Sequence, residues 1–181
     1  MTMTAQKFLA QRIPSPLKEA FEEMMSSPAG RRLADSCAQR GTRFVVDPSG
    51  KLGRSSMTIN LLRLVIIGRE ALQHRPTLIN SLAHEASHIE QRHVSDSFEQ
   101  EYRAFVTAAQ VMRELNLQDP SGWDAPELQN LSPEQAARKI MEMFPDHPLY
   151  GINPTIPVYQ VRGPRGFIEL IKQAWALLKA A

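Results

Sequence analysis

The stretch His84-Glu85-Ala86-Ser87-His88 limits most sharply what this chain can become. Residues four apart lie on one face of an α-helix, one turn above the other. Two imidazoles so placed can grip one zinc ion, while the glutamate beside the first reaches a zinc-bound water. The plain alternative is a helix that happens to carry two solvent-facing histidines. The flanks argue against it. Pro76 opens a helix over roughly 76–93 in which Leu78, Leu82 and Ile89 share a stripe, with Ile79, Ala83 and Ala86 beside it. His84 and His88 flank that core-facing side.

With 181 residues the chain has room for one domain, 1–181, and a substantial core. Its 43% apolar and 22% charged content are those of an ordinary globular protein. The net charge is +2 and no basic run exceeds two residues, so no nucleic-acid partner is expected. A single cysteine, Cys37, excludes an intramolecular disulfide and is expected to pack as a small apolar side chain. The first residues lack the apolar run of a secretory signal, and the longest apolar stretch, Leu61 to Gly68, is interrupted by Arg63. No membrane partner is expected. The expected location is the cytoplasm, with export lacking a cleavable signal left open.

Residues 4–12 and 16–25 read as short helices around Ile13-Pro14-Ser15-Pro16. Ser27-Pro28 is an N-cap with proline behind it, and Gly41 suits a left-handed C-cap, framing a helix over 28–40. Strand character at 42–47 and in the β-rich run Met57 to Ile67 predicts a two- or three-stranded sheet ahead of the motif. Further helices are expected over about 98–116, from Ser132 to about 143, and over 167–178. The expected class is α+β, mainly α: a small antiparallel or mixed N-terminal sheet, then the motif helix, a third-ligand helix and C-terminal helices.

A catalytic zinc usually has three protein ligands and one open position. The nearby candidates are His93, Asp96, Glu99 and Glu101. His93 is turned well round the helix from His88, and Asp96 fits an N-cap. Glu101 shares a helical face with Phe105, Ala108 and Met112, an inward stripe where a carboxylate is costly unless paired or metal-bound. Glu101 is therefore the expected third ligand. Glu99, on the more polar face with Arg103 and Gln110, is the alternative, and a salt bridge to an arginine would also explain Glu101.

The pair His84-Glu85-x-x-His88 and Glu101-Tyr102-Arg103-Ala104 resembles the gluzincins, zinc metallopeptidases whose third ligand is a glutamate on the following helix. The E-x-x-A spacing is similar to that of the minigluzincins. The resemblance covers about residues 57–105 and implies a zincin-like domain acting on peptide or protein substrates with Zn2+ as cofactor. Glu85 would then be the general base of a zinc-activated water attacking a peptide carbonyl. It also implies an oxyanion donor, for which Tyr159 is the first choice, followed by Tyr150, His147 and Tyr102. By the same analogy the strand near Leu61–Ile67 would pair with an extended substrate, unless it is the middle of a core sheet. One position departs from the family: the residue four after the third ligand, commonly an aspartate that orients a ligating histidine, is Phe105. That departure motivates an alternative function, a catalytically silent binding or regulatory protein on a zincin scaffold.

Overall fold

The computed structural model describes residues 4–91 and 98–119, together with Leu131 and Gln135. Three helices come first: α1 (Ala5–Arg12), α2 (Ser15–Ser26) and α3 (Pro28–Arg40). The strands β1 (Arg43–Val46), β2 (Ser56–Ile59) and β3 (Leu64–Ile67) follow, then α4 (Arg75–Gln91) and α5 (Phe98–Glu114). The expected α+β class, mainly helical with a small sheet, is what the chain adopts. The helices expected beyond residue 130 lie outside the described residues.

Local chemistry accounts for the helix ends. The Ser27 hydroxyl accepts from the Gly30 amide at 3.0 Å, and Pro28 occupies the first turn, where a missing N–H costs nothing. Gly41 ends α3 in the left-handed region at φ 64°, with the Thr42 amide donating back to the Cys37 carbonyl at 3.0 Å. Cys37 is fully buried, and burial pushes its thiol up to about 12, so it is an inert packing residue.

The sheet order is β1-β3-β2, with β1 parallel and β2 antiparallel to the central β3. The β-rich run Met57 to Ile67 holds most of β2 and all of β3, which with β1 make the sheet three-stranded, within the expected two or three. A 3-10 turn over Asn60–Leu62 and Arg63, left-handed at φ 51°, reverse the chain between β2 and β3. Because β3 has a neighbour on each side, it is the middle of the sheet and has no edge to offer a substrate. The expectation that Leu61–Ile67 pairs with substrate is corrected on that ground.

Alternation along the strands sorts the side chains into two layers. Phe44, Val65 and Ile67 join the helices in the main core, where the rings of Phe8, Phe21 and Phe44 pack pairwise with centroids 5.4 to 6.1 Å apart. Leu64, Ile66, Ile59, Val45 and Met57 gather in a smaller cluster of their own. In β2 that phase sends Met57 and Ile59 to the smaller cluster and turns Ser56 and Thr58 toward α4.

Helix α4 runs through the centre, against α2, α3, α5 and β2. Twelve of its 17 residues are buried, so its burial extends well beyond the expected stripe. Two carboxylates anchor the far end of α5. Asp119 accepts from Thr77 Oγ1 and Asn80 Nδ2 of α4, both at 2.9 Å. Glu114 accepts from the Ala29 amide at the start of α3 at 2.9 Å. Among the described residues no helix is long and apolar enough to cross a membrane.

Candidate metal centre

His84 and His88 project from α4 one turn apart, and Glu101 comes to meet them from the first turns of α5. The two Nε2 atoms are 3.2 Å apart. Glu101 Oε2 lies 3.2 Å from His84 Nε2, and Glu101 Oε1 lies 3.4 Å from His88 Nε2. Among the described residues this is the one group of three potential ligands whose donor atoms converge, all within 4.8 Å of one another. Two ring nitrogens and a carboxylate brought that close need a shared proton or a metal ion among them. A zinc ion with bonds of about 2.0–2.1 Å in tetrahedral array holds its donors roughly 3.3 Å apart. The donor set, two imidazoles and a carboxylate, is also one that zinc favours.

Burial acts most strongly on Glu101 and pushes its pKa up. The charges of His88 and His84 and their hydrogen bonds together outweigh it and hold the carboxyl well below the usual range. An ionised carboxylate is the form that a metal would bind. Helical periodicity puts Glu101 on the inward face of α5, and Phe105, Ala108 and Met112 are buried along that face. The alternative Glu99 falls on a side chain outside the described residues, as do His93 and Asp96.

Glu85 is only 4% exposed. Its carboxylate is received by β2: Ser56 Oγ donates to Oε1 at 2.8 Å and Thr58 Oγ1 donates to Oε2 at 2.6 Å. These two hydroxyls were missed in the sequence. The available signal was a polar pair at strand spacing directly ahead of the motif. Phe105 occupies the position where the resemblance implies an aspartate, and its ring packs edge-on against His84 with centroids 4.6 Å apart. Tyr102 is half-buried on α5, about 100° round the helix from Glu101. The oxyanion candidate Tyr159, and with it Tyr150 and His147, lies outside the described residues. His74 is an exposed connector residue ahead of α4.

Comparison of the chain with protein-family models, with curated proteins and with solved structures finds no match.

Proposed function

We propose that this chain is a zinc-dependent metallopeptidase in which His84, His88 and Glu101 hold the ion and Glu85 is the general base. The observation that carries the reading is the convergence of three side chains: the ring nitrogens of His84 and His88 are 3.2 Å apart, with Glu101 Oε2 3.2 Å from the first and Oε1 3.4 Å from the second. Such approaches are close to the roughly 3.3 Å that zinc sets between its donors, and three protein ligands would leave a fourth position to substrate or solvent. When bound, zinc would polarise a peptide carbonyl and lower the pKa of a water to roughly 7.

The residues around it have matching tasks. Glu85 stands next to the first ligand, with one hydroxyl on each carboxylate oxygen and lone pairs to spare for a proton. Strand β2 is an edge of the sheet among the described residues and runs beside Glu85. An extended peptide would pair along β2, by strand addition, in the role first expected of Leu61–Ile67. Tyr159 is kept as the proposed donor to the oxyanion.

Elemental analysis after loading with zinc should find one ion per chain, and His84→Ala should lose it. Glu85→Gln should keep the ion and lose cleavage of a mixed peptide library by at least about a hundredfold. Wild-type protein that retains no zinc would falsify the proposal. Zinc retained by a protein that cleaves nothing would turn the reading to a binding protein on a peptidase scaffold.

A further inference from the structure

A histidine on a helix can still rotate its ring about two side-chain torsions, and a metal ligand must have Nε2 aimed at the ion. Metal sites usually settle this by giving the other ring nitrogen a carboxylate or carbonyl to bond. At His84 the structure shows a second solution. Its ring is edge-to-face with two neighbours: His88, at 4.9 Å between centroids and 70° between planes, and Phe105, at 4.6 Å and 67°. Phe105 lies one turn beyond Glu101 on α5 and is 5% exposed. One helix thus delivers both the third donor and the ring that bears on the first. Small side chains, Ala104, Ala108 and Ala109, are buried around it on α5.

We infer that Phe105 is a positioning residue for the metal centre, holding the His84 imidazole in its binding orientation by aromatic packing. The inference rests on the metal-centre reading above. An aromatic edge orients the ring without adding negative charge beside it, unlike an aspartate at the same position.

Zinc affinity, measured by competition with a chromophoric chelator, tests this in the full chain without reference to turnover. Phe105→Leu keeps an apolar side chain of similar size and removes the ring edge. Affinity should fall about three- to tenfold, the range expected for one edge-to-face pair. Phe105→Tyr, which keeps the ring, should bind zinc within about twofold of wild type. The Tm of each metal-free protein is measured alongside, with Phe105→Met as a second ring-free variant should the leucine protein fail to fold. A folded ring-free variant with wild-type zinc affinity overturns the inference and leaves the metal centre standing. Wild-type protein with no zinc affinity overturns both, so the two failures are told apart.

Discussion

A carboxylate as deeply placed as Glu85 is costly unless its charge is met by donors. Ser56 and Thr58 meet it, and the Thr58 hydroxyl also lies 3.1 Å from the Glu85 backbone carbonyl, so this side chain spans the proposed base and its helix. Valine at position 58 has nearly the shape of threonine and lacks the hydroxyl. Thr58→Val should leave zinc content unchanged, cost roughly 1–3 kcal/mol in denaturant unfolding, and lower kcat more than it alters KM. Thr58→Ser should restore most of kcat. A valine variant with full kcat would show that the proposed base needs no such hold. The motif itself was legible because its geometry is local: four residues of helix fix it. The hydroxyl pair was not, because its partner lies 27 to 29 residues away and only the finished sheet brings it there.

At the scale of elements, helix ends were legible and the strand pattern only partly so. Ser27-Pro28 and Gly41 bound α3 as their capping chemistry predicts. The run Met57 to Ile67 is rich in β-formers and left two or three strands open, because Arg63 carries no mark of the left-handed turn it makes; pairing with β1 and β2 shows where the break falls. The loop ahead of β2 has an anchor of its own. Buried Asp47 accepts from the Ser49 amide at 2.9 Å, the Ser49 hydroxyl at 2.7 Å and the Leu52 amide at 2.8 Å. Burial alone would raise its pKa, but these bonds outweigh it and leave it lowered. A carboxyl lowered on folding adds stability above its unfolded value, about 3.9, and loses it as pH falls through the folded value. Stability should therefore drop on acidification below about pH 4, and Asp47→Asn should flatten that part of the curve. Equal acid limbs for the two proteins would remove Asp47 from the account. Gly68 closes the same loop: a Cβ there would lie 2.3 Å from the carbonyl oxygens of both Gly53 and Ser55.

The whole molecule divides its candidate ligands between two helices, and this couples folding to the ion. α4 supplies two donors and α5 the third, while Asp119 and Glu114 tie down the opposite end of α5. Packing along the buried alanines and the two carboxylate anchors would hold the helices together without metal, at the expense of crowding His84, His88 and Glu101 together, with closest approaches of 3.2 to 3.4 Å. An ion would relieve that crowding and add a cross-link present only in the folded state. Zinc at a hundred times its dissociation constant should then add about 2.7 kcal/mol, or roughly 5–10 °C in Tm for a domain of this size. Chelation should reverse the gain, and His84→Ala should show none of it. Magnesium, which prefers an all-oxygen octahedron, should do little at a site with two imidazoles. A Tm that zinc leaves unmoved in the wild-type chain would mean that proton sharing and packing alone account for the closeness of the three side chains. α4 and α5 would then be a structural pair, with no ion for Glu85 to work beside.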